Sequence, residues 1–176
     1  MVFEPFGLEN AWRLRLEPYA DARGFFARLW APEELAARGL NPALAHCSLS
    51  CTRRARTLRG LHYQAAPREE AKVIRCIRGA IYDVLVDLRR GSPTFGRGQA
   101  CELTAENRLA LYAPEGVAHG FQALTDDVEV LYMISAPYDP SLARGVRWND
   151  PAFGIVWPAE PGEMSDRDRG FPDFAV

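Results

Sequence analysis

The stretch KVIRCIRGAIYDVLVDL, residues 72–88, carries the pattern that decides the fold. Two apolar runs rich in Val and Ile occupy residues 72–77 and 80–88, and Arg78 and Gly79 separate them as a turn signal. Short runs of this composition, joined by a turn that contains glycine, are typical of neighbouring β-strands. The stretch therefore predicts two consecutive strands near the middle of the chain.

Polar side chains recur on one face of each of these two strands. Alternation along a strand places Lys72 on the same face as Ile74 and Cys76. It likewise places Asp83 and Asp87 on one face of the second run. Because buried carboxylates need partners, the pattern predicts an interior that contains basic side chains as well as apolar ones.

Working outward, the rest of the chain shows the same strand-and-turn rhythm. Strand-like runs cover residues 58–64, 109–112 and 128–134, and turn signals fall at 21–24, 89–93, 114–116 and 125–127. One helix is predicted over residues 32–38, with Pro32 in its first turn and Gly39 past its end, and a second short turn is predicted at 105–108. Many strands and few helices favour a sandwich or a barrel.

Length and composition are those of a single globular unit. The chain has 176 residues, of which 48% are hydrophobic and 25% charged, and its formal net charge is −2. We predict one domain over residues 1–176, with 158–176 an irregular C-terminal tail that folds back on the barrel. The near-neutral charge predicts no nucleic-acid partner, so an anionic ligand needs a local basic cluster. We read neither a signal peptide nor a membrane span, and no stretch approaches 18 consecutive apolar residues.

Several classes of bound group are disfavoured. The chain has 4 cysteines and 3 histidines, with a single close cysteine pair and no adjacent histidines, so no metal site is predicted. The cysteines are interpreted as buried thiols in a reducing cytoplasm. No glycine-rich dinucleotide motif and no Walker loop is present in the sequence.

The densest chemical candidate is the run TLRGLHYQ, residues 57–64. Alternation places His62 and Gln64 on the face of Gly60, and a bulge at Gly60 would turn Arg59 toward that face. Further along, His119 precedes Gly120 at what we interpret as a strand mouth, and Tyr132 lies within an apolar strand. Taken singly, a lone histidine on a strand and a tyrosine among aliphatic residues are more often structural. Their order and spacing together are more informative.

The ordered motifs resemble the dTDP-4-dehydrorhamnose 3,5-epimerase family over about residues 3–174. The motifs that carry the resemblance are DARGFF at 21–26, LRGLHYQ at 58–64, DVLVDLR at 83–89, SPTFG at 92–96, AHGF at 118–121, WNDP at 148–151 and IVWP at 155–158. The resemblance implies an all-β fold, a double-stranded β-helix or cupin-like jelly roll with one or two short helices. It also implies a homodimer in which each barrel holds one active site.

The resemblance implies roles for nine residues. His62 matches the general base, and Asp168 in the run SDRD matches the residue that orients this base. Lys72, the only lysine among 21 Lys and Arg residues, matches the group that stabilises an enolate, and Tyr132 matches the acid. The predicted substrate-binding residues are Arg59, His119, Arg23, Gln64 and Tyr138. Arg23 matches a position on the nucleotide side, near the dimer contact.

These residue types suit epimerisation of a nucleotide-linked 4-keto-6-deoxyhexose at C3, C5 or both. A carbon next to a ketone loses its proton as an enolate, so the reaction needs a base, an acid on the opposite face and positive charge at the oxygen. No hydride carrier is needed, so no cofactor is predicted. The expected substrate is dTDP-linked. The chain departs from many members of the family at Arg28, where they have Glu, and at residues 45–50, which lack the two amides of their Gln-x-Asn-x-Ser-x-Ser run.

Three other interpretations remain open at this point. One is a mono-epimerase that inverts only C3 or only C5 of another nucleotide-linked 4-keto sugar, and a second is 3,4-ketoisomerisation by a related barrel. The third is a non-catalytic barrel that binds a sugar nucleotide without turnover. A metal-dependent oxygenase fits the sequence less well, because residues 62–64 read His-Tyr-Gln rather than His-x-His.

Overall fold

The structure, a computed structural model, describes residues 1–174. The strands are β1 (Val2–Pro5), β2 (Trp12–Arg15), β3 (Tyr19–Asp21), β4 (Gly24–Phe26), β5 (His46–Thr52), β6 (Leu58–Gln64), β7 (Lys72–Arg78), β8 (Ala80–Asp87), β9 (Gly98–Thr104), β10 (Ala110–Ala113), β11 (Val117–Ala123), β12 (Val128–Ile134) and β13 (Ala143–Gly145). The helices are α1 (Pro32–Ala36) and α2 (Asp166–Arg169), with a 3₁₀ turn over Pro151–Phe153.

Two antiparallel sheets form the body of the molecule. One sheet has 6 strands in the order β1-β2-β10-β7-β12-β5, and the other has 5 strands in the order β13-β6-β11-β8-β9. β3 and β4 form a separate two-stranded hairpin. The predicted all-β jelly roll with one or two short helices is confirmed.

The core lies between the two sheets. Ile74 and Cys76 of β7 point inward with Val130 of β12, and they meet Leu85 and Phe121 from the opposite sheet. This arrangement confirms the predicted alternation in β7, which also places Lys72 on the inner face. Inward-facing polar residues at the ends of these strands therefore share the interior with the core.

The outer faces of the sheets are covered by different segments. On the six-stranded sheet, α1 buries Leu35 against a cluster that contains Val73 and Tyr112. On the five-stranded sheet, a cluster around Val84 is covered by the C-terminal segment, including Phe174. The helix predicted over residues 32–38 is α1, and it ends ahead of Gly39, which has a φ of +70°.

The interpretation of the cysteines needs one correction. All 4 are free thiols. Cys76 is buried, but Cys47 and Cys51 are exposed, because β5 is an edge strand whose outward face is uncovered. Burial raises the pKa of Cys76 to about 11 and that of Cys101 to about 12, so these two thiols are unreactive.

The C-terminal tail, predicted as irregular, contains α2. Its last two residues, 175 and 176, lie outside the described residues. Within residues 1–174, no helix has the length and apolar character that crossing a bilayer requires.

Candidate functional site

Arg59 and His62 reach one cavity because the β6–β11 ladder is irregular at Gly60. His62 pairs with His119, whereas Arg59 pairs with Phe121, so β6 contains one extra residue between the two pairs. The irregularity turns Arg59 toward the side occupied by His62. The predicted bulge at Gly60 is confirmed.

Gly60 and Gly120 allow the two strand backbones to touch at this bulge. A Cβ atom on Gly60 would lie 2.6 Å from the Cα of Gly120, and one on Gly120 would lie 2.7 Å from the carbonyl oxygen of Arg59. Gly60 also has a φ of +131°, which residues with a side chain rarely adopt. Contact between the backbones therefore fixes the positions from which His62 and His119 project.

The cavity at this point has a volume of about 600 Å³. It lies between the sheets and is closed on one side by the C-terminal segment. Its lining residues are Ser50, Thr57, Leu58, Arg59, His62, His119, Phe121, Tyr132, Glu163, Met164, Ser165, Arg167 and Asp168. Five of the nine predicted site residues are thus brought together, including the predicted base and the predicted acid.

His62 and Asp168 form a hydrogen-bonded pair at the cavity wall. The Nε2 of His62 lies 2.8 Å from Oδ1 of Asp168, and Oδ2 of Asp168 accepts a hydrogen bond of 3.0 Å from the backbone N–H of Gly60. Burial acts to raise the pKa of Asp168, but the hydrogen bond and charge of His62 and the Gly60 N–H outweigh it, and the pKa is lowered. An ionised carboxylate only accepts, so Nε2 carries the proton and Nδ1 is the basic nitrogen.

α2 delivers Asp168 to this position. The Ser165 hydroxyl accepts a hydrogen bond of 3.1 Å from the backbone N–H of Asp168 and caps the first turn. The backbone N–H of Leu58 also donates to the carbonyl of Glu163 at 2.9 Å, which ties the segment before α2 to β6. The cap fixes Asp168 within α2, and the bond between Leu58 and Glu163 fixes the segment before α2 against β6. Together they hold the carboxylate beside His62.

His119 lies next to His62 on the neighbouring strand β11 and pairs with Asp83 of β8, while Tyr132 of β12 reaches the cavity from the other sheet. The Nε2 of His119 lies 2.8 Å from Oδ2 of Asp83, a residue that is 0% exposed. Burial raises the pKa of Asp83, and His119 opposes this only in part. The ring of Tyr132 stands edge-on to His119, with 5.8 Å between centroids and 71° between planes. Burial, reinforced by the charge of Asp83, raises the pKa of the Tyr132 hydroxyl well above its ordinary value.

Arg59 is anchored by its own hydrogen bonds at the cavity. Its Nε donates to the Thr52 hydroxyl at 3.0 Å, and one terminal nitrogen donates to the carbonyl of Cys51 at 3.0 Å. A guanidinium has five N–H donors in a planar fork, so donors remain for an anionic ligand. Arg59 and Arg167 both line the cavity and balance the carboxylates of Glu163 and Asp168, which line it as well.

Lys72 lies behind His62 rather than in the cavity lining. Its side chain is buried, and Nζ forms an ion pair with Oε1 of Glu70 at 2.9 Å. Nζ also donates a hydrogen bond of 3.3 Å to the backbone carbonyl of His62. The only lysine of the chain is thus in contact with the predicted base through its main chain.

The structure does not bring the other three predicted residues into this cavity. Arg23, at the tip of the β3–β4 hairpin, has a side chain that is 90% exposed and paired with Asp21. The Gln64 amide is buried and bonded to backbone groups of Arg68, Pro137 and Asp139 beside a second cavity of about 450 Å³. Tyr138 is 61% exposed on the loop between β12 and β13.

Sequence reasoning missed several lining residues. Ser50 belongs to β5, whose apolar residues Cys47, Leu49 and Cys51 face outward, and Glu163, Met164 and Arg167 belong to the C-terminal segment. Ser165 ahead of Asp-Arg-Asp is a usable helix-start signal for α2. Within residues 1–174, no group of three or more His, Cys, Asp or Glu side chains is arranged to hold a metal ion.

Comparison with known proteins identifies the family of the chain. The family model described as dTDP-4-dehydrorhamnose 3,5-epimerase matches residues 5–175. The chain is 37% identical over 175 residues to the dTDP-4-dehydrorhamnose 3,5-epimerase of Sinorhizobium fredii, covering 99% of this chain and 90% of that protein.

Two solved structures are similar over nearly their whole length. A dTDP-4-dehydrorhamnose 3,5-epimerase from Elizabethkingia anophelis superposes with a TM-score of 0.95 and 31% identity, covering 99% of this chain and 96% of that one. A 3'-monoepimerase from Streptomyces bikiniensis in complex with dTDP-quinovose superposes with a TM-score of 0.87 and 36% identity, covering 96% of this chain and 86% of that one. With the match over nearly the whole sequence and fold, the chain belongs to the dTDP-4-dehydrorhamnose 3,5-epimerase family and is an isomerase of the sugar-nucleotide epimerase type.

Proposed function

We propose that this protein epimerises a dTDP-linked 4-keto-6-deoxyhexose at C3 and C5 by proton transfer through an enolate. The observation that carries the proposal is that His62 and Tyr132 line the same cavity from different sheets. A base and an acid on opposite sides of one sugar ring are what inversion at carbon requires.

In the proposed step, Nδ1 of His62 removes the proton from a carbon next to the ketone, and the electron pair moves to the carbonyl oxygen as an enolate. Asp168 accepts the Nε2–H of His62 at 2.8 Å and stabilises the imidazolium that forms. The Tyr132 hydroxyl then delivers a proton to the other face of the same carbon. Because burial raises the pKa of Tyr132, its hydroxyl stays protonated until the proton is transferred to the enolate.

We assign to Lys72 the positive charge that stabilises the developing enolate oxygen. Its Nζ is held by Glu70 at 2.9 Å and by the backbone carbonyl of His62, outside the cavity lining, so this role requires the ammonium to leave both groups and enter the cavity. The low-dielectric interior around a buried ammonium strengthens its attraction for an enolate. Replacement of Lys72 by Met removes the charge while it keeps most of the volume.

We assign the phosphates of the nucleotide to Arg59, whose fork faces the cavity, with His119 in contact with the sugar. We propose that Arg23 acts in the site of a second copy of the chain, as a homodimer. The hairpin that carries Arg23 projects into solvent and exposes Tyr19 and Phe26 by 78% and 75%. Apolar side chains exposed to this degree on one hairpin are typical of an interface. Tyr138 belongs to the rim of the site in this proposal, and Gln64 supports it by holding the 137–139 loop.

We further propose that the chain works as one domain, residues 1–176, in the cytoplasm, where a reducing environment keeps its 4 thiols free.

The test is to incubate the protein with dTDP-4-keto-6-deoxyglucose in D₂O and to follow H3 and H5 by NMR. Exchange at both carbons supports the proposal. The His62→Asn variant is the control for uncatalysed exchange, and it should show no exchange above that of buffer. No exchange with the wild-type protein would refute the proposal and favour a non-catalytic barrel.

A mono-epimerase is the second candidate, favoured by the similarity to the 3'-monoepimerase from Streptomyces bikiniensis. The same experiment separates the two, because a 3-epimerase exchanges H3 and leaves H5 in place.

A further inference from the structure

The ring of Phe171 lies beside the imidazole of His62. The two ring centroids are 5.7 Å apart with 77° between the planes, an edge-to-face contact. Phe171 follows Gly170, the C-cap of α2, and is three residues after Asp168, so one short segment supplies both neighbours of the imidazole. The guanidinium of Arg167 lies 5.8 Å from the same Phe171 ring.

Gly145 provides the space in which Phe171 lies. Gly145 of β13 is the direct register partner of His62 in β6. A Cβ atom on Gly145 would lie 2.2 Å from two ring atoms of Phe171, a distance that no side chain tolerates. Gly145 is not in the left-handed region of backbone space, so glycine is required here for room rather than for conformation.

The segment on either side of Phe171 is tied to the body of the molecule. On one side, Asp168 is bonded to Gly60 and His62. On the other side, the backbone N–H of Arg147 donates to the carbonyl of Pro172 at 3.3 Å, and the backbone N–H of Phe174 donates to Asp150 at 2.7 Å. Phe171 is therefore held at both ends and keeps a fixed place beside the imidazole.

The hydrogen bond to Asp168 fixes only one atom of the His62 ring. The side chain of His62 is 41% exposed, so the ring can pivot about this bond toward the cavity unless something contacts its side. Misplacement of a reacting group by about 1 Å can lower a rate by about 100-fold. A rigid aromatic edge against the imidazole removes this freedom.

We infer that Phe171 and Gly145 are positioning residues for His62: Phe171 holds the imidazole in the orientation set by Asp168, and Gly145 makes room for it. The inference rests on the proposed role of His62 as the base. Phe171 touches the imidazole and Gly145 touches Phe171, and neither of them lines the cavity in the described part of the chain.

The first test compares Phe171→Ala and Phe171→Leu with the wild-type protein. For Phe171→Ala we expect kcat for loss of the substrate proton to fall by about 10-fold to 100-fold, with KM changed by less than about threefold. Phe171→Leu should recover much of the loss, because leucine fills most of the space. In NMR of the imidazole, the Nε2–H tautomer of His62 should persist in both proteins, whereas the ring C–H signals should be sharp in the wild-type protein and broadened by exchange between orientations in Phe171→Ala. An unchanged kcat together with an unchanged His62 signal would overturn the inference.

The second test is a double-mutant cycle. Gly145→Ala should lower kcat because its methyl group displaces Phe171, and adding Phe171→Ala should restore kcat to the level of Phe171→Ala alone. Gly91→Ala is the matched control, since a Cβ atom at Gly91 meets no atom within 4 Å. Independent, multiplying losses in the double variant would overturn the inference.

Failure of the proposed function gives a different result. A wild-type protein that exchanges no substrate proton refutes the proposed epimerisation, while the NMR signal of His62 in the same variants still tests the positioning contact.

Discussion

At the scale of single residues, the site depends on pairs that the chain brings together from far apart. His62 and Asp168 are separated by 106 positions, and His119 and Asp83 by 36. No periodicity in the sequence links the members of such pairs. The resemblance to a family suggested the first pair, and the second required the β8–β11 ladder, in which Asp83 is the register partner of Phe121.

Replacement of Asp168 by Asn should lower the rate of substrate proton exchange by at least about 100-fold. The amide cannot stabilise the imidazolium, and it can donate to Nε2 and so favour the wrong tautomer of His62. The measurement is the initial rate of H3 loss in D₂O. Asp166→Asn is the matched control, because Asp166 is an exposed acid in the same helix. A change of less than about threefold in Asp168→Asn would contradict the pairing.

Replacement of Tyr132 by Phe should impair product formation more than it impairs initial proton loss. The variant keeps the ring that packs on His119 and loses only the hydroxyl that delivers the proton. Product is measured by the NMR signals of the epimer and proton loss by exchange at the same carbon. Equal losses of the two rates would count against the acid role of Tyr132.

At the scale of elements, strands can be predicted from the sequence where their alternating apolar side chains pack in the core. The predicted runs at 58–64 and 128–134 coincide with β6 and β12. β5 was missed because Ser48 and Ser50 occupy its inward positions, next to Tyr132 and Val130. Its alternating apolar residues, Cys47, Leu49 and Cys51, lie on the exposed outer face and not in the core. α2, with only 4 residues, is too short for a helical period to be seen.

The loop between β8 and β9 depends on Asp87. This buried carboxylate accepts hydrogen bonds from Arg89, Ser92 and Thr94, and Arg89 also donates to the carbonyl of Glu9. Burial acts to raise the pKa of Asp87, but these donors outweigh it and lower the pKa to about 2. Because the folded pKa lies below the unfolded value of about 3.9, the stabilisation is complete above about pH 4 and is lost as pH falls toward 2.

Asp87→Asn should therefore lower the free energy of unfolding by about 2–4 kcal/mol at pH 7, and the difference from wild type should shrink below about pH 4. Urea unfolding at several pH values measures it. Glu129→Gln, which removes an exposed ion pair with Arg78, should change stability by less than about 1 kcal/mol. A pH-independent difference for Asp87→Asn would contradict the assignment.

At the scale of the whole molecule, the proposed homodimer decides whether the site of one chain is complete. Arg23 lies at the tip of the exposed β3–β4 hairpin and lines no part of the cavity of its own chain in the described residues. The sequence identified Arg23 only through the resemblance. In the proposed dimer its place in a site depends on a second copy, which no pattern within one chain can reveal.

Mixing the inactive variants His62→Asn and Arg23→Ala should restore activity if Arg23 acts in the partner's site. A mixed dimer then has one site with both changes and one site with neither. Random reassociation should recover about one quarter of wild-type activity, because half of the dimers are mixed and each has one intact site of two. Sedimentation of each variant serves as the control for dimer formation. No recovery on mixing would contradict a role of Arg23 across the dimer.

The touching backbones at Gly60 and Gly120 also limit how this enzyme can evolve or be redesigned. The spacing between the imidazoles of His62 and His119 is set by the contact of the two main chains. No substitution at Gly60 or Gly120 can therefore widen it. Variation in the sugar that the barrel accepts must therefore come from the periphery, at positions such as Ser50 and Met164. Libraries aimed at a bulkier hexose should diversify that periphery and leave both glycines untouched.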